Sequence, residues 1–315
     1  MKPPSPWQLA SSSRSRRAAA VRYWIVHPLA GGFKIGTHLF LGLMPVDFGS
    51  NLGKALGLIS ARGYKPSEAR ARRLWRLLHP EAADEPSTDA AMKRLWGNVG
   101  RTVAEIALLE RIWDEGRAEM IGLEHLAAER AADRPVIVAG LHLGNWEMMS
   151  IAGVKNGFHG ASLALPLENR FEQRLIGRLR ERFGGRMVHA TSSSGRAIVD
   201  EIVHRGPLVI YIDDHARGRV HAPAFGRPLQ AKGNIAYVPR LARMTGASVL
   251  LAYCVRQGDA PRFKITISPP IPLKTDGDPK DDLASNIQTL NAMIEPIIAA
   301  HVDQWFYALD VDLDE

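Results

Sequence analysis

Residues 135–147, "PVIVAGLHLGNWE", begin as an apolar run and then set a histidine, a glycine, an asparagine, a tryptophan and a glutamate within six positions. His142 and Glu147 enclose four residues, and together they could form a general base. A carboxylate that accepts the Nδ1 proton of an imidazole fixes its tautomer and raises its basicity, leaving Nε2 to take a proton from an incoming hydroxyl. Such a base contributes about 10² to 10⁴ in rate. On one continuous helix the two side chains would fall on different faces, but across a strand, a turn and a helix start they can converge. A plainer account of the same residues makes Asn145 a helix N-cap, Glu147 a favourable charge beside a helix N-terminus, and His142 a polar bystander. Other chemistries lack their patterns: there is no Gly-x-Ser-x-Gly elbow, no phosphate-cradling loop ending in Lys-Ser or Lys-Thr, and no His-Glu-x-x-His zinc helix. His189, His204, His215 and His221 are scattered, so neither a metal nor a cofactor is expected.

The elements that must position this pair follow from the patterning. From about Met120, short runs rich in β-branched residues ("PVIVAGLH", "ASLALP", "PLVIYID", "ASVLLAYCV") alternate with helical segments at 168–183, 194–204 and 234–244. That alternation predicts a mainly parallel, mixed α/β sheet flanked by helices on both faces, with the chemistry at the carboxyl ends of its strands. "RFKITISPPIPL" is expected as an edge strand, since its prolines cannot sit in a central one, and a last helix is expected over 281–301. Upstream, "PSEARARRLWRLLHP", with Ser67 as a cap and Pro80 as a stop, and "STDAAMKRLWGNVGRTVAEIALLERIW" predict an N-terminal helical region. The chain thus divides into a basic leader (1–22), a membrane-associated and helical region (23–119) and an α/β core (120–315).

The single Cys254 excludes a disulfide framework in this 315-residue chain. A net charge of +7 and a pI near 9.7 favour an anionic partner. Nucleic acid is the weakest choice, because acids are interspersed with the bases and no nucleic-acid motif is present. Lys2, Arg14, Arg16, Arg17 and Arg22 precede "YWIVHPLAGGFKIGTHLFLGLMPV". This apolar stretch is broken by Pro28, Gly31 and Gly32, and its Lys34 would cost roughly 2.5 to 3.5 kcal/mol at a bilayer centre. Shallow or re-entrant insertion at an anionic surface is therefore expected, with a pair of buried helices as the alternative. Arg170, Arg174, Arg178 and Arg182 recur every four residues. They form either a dock for an acidic protein or lipid phosphates, or a solvated face paired with Glu168, Glu172 and Glu181.

The order of these segments resembles the late lipid A acyltransferases, the lauroyl and myristoyl transferases of the wider lysophospholipid acyltransferase superfamily, from about Val21 to about Gln304. "HLGNWE" is similar to the family's catalytic box. "ENRFEQRLIGRLRERFGGR" is similar to the helix in which an asparagine, here Asn169, precedes an Arg-x-Arg-x-x-Gly, here Arg180, Arg182 and Gly185. "YIDDHARGRVHAPAFGRP" is similar to a block in which an aspartate, matched by Asp214, precedes a Phe-Gly pair, and "PRLARMTGASVLLAYCVR" to the segment after it. The resemblance implies acyl transfer from an acyl carrier protein thioester to a hydroxyl of a glycolipid, at the cytoplasmic face of the inner membrane. His142 would be the base and Glu147 its orienting partner, without a covalent acyl-enzyme. Asn145, Asn169, Arg170, Arg180, Arg182 and Asp214 are the candidate substrate-binding residues, and Arg180 or backbone N–H groups of the turn are candidates to stabilise the thioester oxygen. The chain departs from the pattern where the family has a basic Trp-x-His-Arg-Arg tail: Trp305 matches, but "DQWFYALDVDLDE" ends acidic. Ala216 and Lys232 also replace the usual aspartate and threonine. These departures leave the acceptor open between lipid A, another glycolipid and a lysophospholipid. They also admit a catalytically silent membrane or carrier-protein binding module.

Overall fold

The apolar runs become the strands of one seven-stranded sheet. The computed structural model describes residues 3–314 apart from 183–184, 192, 214 and 217–218. The strands are β1 (Ala118–Ile121), β2 (Val136–Gly140), β3 (Ala161–Ala164), β4 (Arg186–His189), β5 (Leu208–Tyr211), a small hairpin β6 (His215–Ala216) and β7 (Arg219–Val220), then β8 (Ser248–Arg256) and β9 (Phe263–Pro270). The sheet order is β1-β9-β8-β2-β5-β3-β4, with every neighbour parallel except β8 and β9. Strand β2 sits at its centre and is buried along its whole length, as the unbroken apolar run requires of a strand covered on both faces.

Alternation along β2 and β8 separates two cores. Ile137, Ala139, Val249 and Leu251 face a layer of α4 (Lys65–Leu78), α5 (Glu85–Glu105), α10 (Gly195–His204), α11 (Gly233–Thr245) and α12 (Pro279–Ala300). Val136, Val138, Leu250 and Ala252 face the other way, where α6 (Leu109–Asp114), α7 (Leu123–Ala131) and α8 (Glu147–Lys155) cover the sheet. The longest helices start at aspartate caps that take up otherwise orphaned N–H groups. Asp84 accepts from Ser87 N at 2.9 Å, and Asp278 accepts from Lys280 N and Asp281 N at 2.9 and 3.2 Å.

Two expectations and one alternative need correction. β9 is not the edge strand: β1, of four residues, pairs with Phe263–Thr266 and stops before Pro269 and Pro270, so the prolines fall beyond the shared ladder. Ser67 caps nothing, because α4 already begins at Lys65 and the Ser67 hydroxyl accepts from Arg70 instead. The N-terminal apolar stretch is not a pair of buried helices either. It forms α2 (His27–Gly42), reached from α1 (Arg14–Val21) through a π-helical turn, followed by α3 (Val46–Ser60). On α2 and just beyond it, Leu29, Phe33, Phe40 and Leu43 are more than half exposed. Among the described residues no helix is long and apolar enough to cross a membrane.

The other side of α2 rests on α9 (Arg170–Arg182). Gly31 lies against Phe171 so closely that a Cβ there would overlap its side chain, and Lys34 forms an ion pair with Glu172 at 2.7 Å. The lysine that would be costly inside a bilayer is thus turned toward protein. Helix α3 lies along α5 through Gly53, Gly57 and Gly100, where backbone meets backbone.

Candidate active site

Strand register builds the site. β2 and β5 run parallel with Gly140 opposite Tyr211, and one more hydrogen bond, Ile212 N to Gly140 O at 3.0 Å, extends the pairing past both strand ends. The next residues out, His142 and Asp213, are therefore neighbours. His142 Nδ1 donates to Asp213 Oδ1 at 2.8 Å, and the His142 backbone N donates to Asp213 Oδ2, also at 2.8 Å. Asp213 is fully buried, while the imidazole keeps 14% of its side-chain surface. Because the carboxylate is the acceptor, the proton resides on Nδ1, and Nε2 is left with its lone pair.

The carboxylate on Nδ1 is thus Asp213, where the His-x4-Glu spacing pointed to Glu147. The physical reason is that adjacent parallel strands deliver Asp213 in register, whereas Glu147 follows the turn and stands half-buried at the first position of α8. Asp213 is the residue that sequence reasoning missed, although it named Asp214, which lies outside the described residues. The signal that would have found it is the constant offset of 71 between β2 and β5, which no local pattern displays.

Aromatic rings enclose the imidazole. Tyr211 lies against it at 4.2 Å between centroids, and Trp146 and Tyr307 meet it edge-on at 5.1 and 5.0 Å. Phe306 stands edge-on to Trp146 at 5.1 Å. Trp146 is thus a wall of the site rather than a core residue alone.

The turn after His142 is fastened from beneath. Gly144 has φ +54°, and a Cβ there would lie 2.7 Å from Cys254 O and 3.1 Å from Arg256 N, so both conformation and space demand glycine. Its carbonyl accepts from Thr102 Oγ1 at 2.8 Å and its N–H donates to Gln304 O at 3.0 Å. Asn145 is not a side-chain cap: it is fully buried, and its Nδ2 donates to Glu105 Oε2 at 3.1 Å. Glu105, also fully buried, takes both Arg256 nitrogens at 2.8 and 2.7 Å and Ser50 Oγ at 2.6 Å. Such a buried ion pair stabilises little in net terms, but removing one partner is costly, which suits a fixture that must not shift. Cys254 on β8 does lie under the box, yet burial pushes its thiol up to about 12, so it behaves as a small apolar residue and not as a nucleophile.

The arginine helix is only partly at the site's disposal. Asn169 is buried; its Oδ1 accepts from Phe171 N at 2.9 Å and its Nδ2 donates to His27 O at 3.1 Å. Arg170 donates to Tyr23 O at 2.9 Å and lies 3.9 Å over the Tyr23 ring. Both residues hold the N-terminal helices, not an open pocket. Glu168 pairs with Arg22 and Glu172 with Lys34, and Arg174 and Arg178 are exposed. Arg180 and Arg182 lie on the last turn of α9, with side chains outside the described set. Among the described residues no three histidines, cysteines or acids are grouped to hold a metal ion.

A mainly parallel α/β sheet that presents a carboxylate-held imidazole at the end of its central strand is the framework of an α/β protein equipped for general-base chemistry. The chain belongs to the bacterial lipid A biosynthesis acyltransferase family, whose pattern matches residues 12–310. It is 22% identical over 279 residues to a lipid A biosynthesis acyltransferase of Haemophilus influenzae, covering 87% of this chain and 84% of that protein. It is 23% identical over 294 residues to the lipid A biosynthesis lauroyltransferase of Escherichia coli, covering 91% and 90%, and 24% identical over 302 residues to the palmitoleoyltransferase of the same organism, covering 93% and 92%.

Proposed function

We propose that this protein transfers a fatty acyl group from an acyl carrier protein thioester to a hydroxyl of lipid A or a related glycolipid, with His142 as general base. The observation that carries this reading is the hydrogen bond from His142 Nδ1 to buried Asp213, which leaves Nε2 to accept the hydroxyl proton. As that proton leaves, the acceptor oxygen attacks the thioester carbonyl carbon. The C–S bond then breaks, and the carrier thiolate departs with the proton that His142 returns. Asp213 orients the ring and balances the imidazolium formed in between. The aromatic walls exclude water, which strengthens that charge pairing. An exposed pair of cations, Arg174 and Arg178, suits the acidic surface of a carrier protein. The basic leader and the exposed apolar residues of α2 suit attachment to the cytoplasmic face of the inner membrane.

The test is transfer of label from a set of acyl carrier protein thioesters to lipid A precursors and membrane lipid extracts, using the full-length protein in detergent. Wild type is expected to turn over, and His142→Ala to lose about 10² or more in kcat with folding retained. Background transfer by both proteins alike, with binding of carrier or lipid intact, would make this a silent binding module instead.

A further inference from the structure

We infer that Trp305, in the C-terminal segment, is a positioning residue of the general base: its indole N–H holds the outer oxygen of the carboxylate that holds His142. The inference rests on the general-base reading above. Trp305 is fully buried, and its Nε1 donates to Asp213 Oδ2 at 2.8 Å, 92 residues away in sequence. The same oxygen takes the His142 backbone N–H, and the other oxygen takes Nδ1. Imidazole, carboxylate and indole therefore form one chain of hydrogen bonds.

The indole cannot drift from this place. Leu143 and Trp305 form an antiparallel bridge, Phe306 N donates to His142 O at 3.0 Å, and Gly144 N donates to Gln304 O. Gln304 in turn accepts from Arg256 N at 2.8 Å. The segment around Trp305 is thus knitted to the segment around His142 like a short strand pair. Phe225, edge-on at 5.8 Å, fixes the indole from the other side.

An indole N–H only donates, so it favours the ionised carboxylate and offers a protonated one no acceptor. A carboxylate buried without such donors would be costly to keep charged. With Trp305 in place, the Asp213 carboxylate is fixed in direction against the His142 ring. Removing the indole donor leaves a more basic carboxylate, which pulls harder on the imidazolium. The other ionisable groups at the ring are Tyr211, the last residue of β5, and Tyr307 on the C-terminal segment. Trp305→Phe alters none of them.

The experiment follows His142 directly, in full-length protein labelled with ¹⁵N-histidine in detergent micelles. His142 is assigned by the resonance lost in His142→Gln. In Trp305→Phe, the titration midpoint of His142 should rise by about half a pH unit with the Nδ1–H tautomer kept, and the acid limb of kcat/KM should follow it. Asp213→Asn should lower the midpoint, and adding Trp305→Phe to Asp213→Asn should change nothing more. A midpoint unchanged or lowered in Trp305→Phe, or the same rise with Asp213 already replaced, overturns the inference. A rise caused by looser packing alone would appear equally with Asp213 already replaced. Should Trp305→Phe fail to fold, ¹⁵N-tryptophan labelling of wild type serves. An indole N–H resonance that moves with His142's midpoint and shifts in Asp213→Asn supports the relay, and seven indole signals indifferent to both overturn it. Intact titration behaviour in a protein that transfers no acyl group would keep the relay and remove the acyltransferase reading.

Discussion

Asp213 accepts three hydrogen bonds in a place with no access to solvent, and two of them come from the residue it serves. Its orientation is therefore set by backbone and side chain at once. This makes Asp213→Asn the sharpest single change at the site. The shapes match, but an asparagine amide turned toward Nδ1 donates where the carboxylate accepted, so the imidazole takes its proton on Nε2 and can no longer act as a base. We expect kcat to fall by about 10² or more with KM within a few-fold of wild type, measured in the thioester assay. Glu147→Gln removes a charge from the first turn of α8 without touching the hydrogen bond on Nδ1, and its loss in kcat should be smaller. A large loss in Glu147→Gln beside a silent Asp213→Asn would return the orienting role to Glu147.

At the scale of elements, helix α5 joins two parts of the molecule. Its Thr102 and Glu105 hold the turn after His142, while its Gly100 lies against Gly53 and Gly57 of α3. A Cβ at Gly57 would run into the Trp96 carbonyl, an atom of backbone that cannot swing aside. Gly57→Leu must therefore push the helices apart, and we expect a loss of about 1–3 kcal/mol in thermal or urea unfolding, with transfer reduced as the turn loosens. Gly32→Ala, on an exposed part of α2 with nothing within 4 Å, should leave the melting temperature unchanged or slightly higher. An unaltered melt for Gly57→Leu would mean that α3 and α5 do not meet as described. The same distinction explains what the sequence discloses. β2, β5, β8 and the helices around them follow from periodicity, which is local, and so does the position of His142 at a strand end. β1 and β4 are as short as β5 but, as AEMI and RMVH, lack its unbroken apolar run LVIY. The partnership of His142 with Asp213, the seat of Trp305 and the use of Arg170 by the N-terminal helices depend on register and packing between distant segments, which periodicity does not encode.

For the whole molecule, the question is which surface would meet a lipid bilayer. Leu29, Phe33, Phe40 and Leu43 follow one another at intervals of four, seven and three residues, so they lie along one face of α2, while His27, Gly31 and Lys34 lie on the face that α9 holds. Phe48, Leu56 and Ile59 on α3 add further exposed apolar side chains. Arg14, Arg16 and Arg17, exposed on α1, add an attraction of about 1 kcal/mol each at an anionic surface. Burying a side chain of the size of Phe or Leu is worth about 1.5–3 kcal/mol, so the apolar term exceeds the charge term. It follows that flotation with phosphatidylglycerol-containing vesicles should persist in high salt, with only partial loss as the arginine contribution is screened. Replacing Phe33, Phe40 and Leu43 together by aspartate should cut vesicle binding by about 10² or more without unfolding the sheet, because none of the three belongs to either core. Release by salt alone, with the triple variant still bound, would assign attachment to the basic leader and leave the apolar face of α2 for another protein.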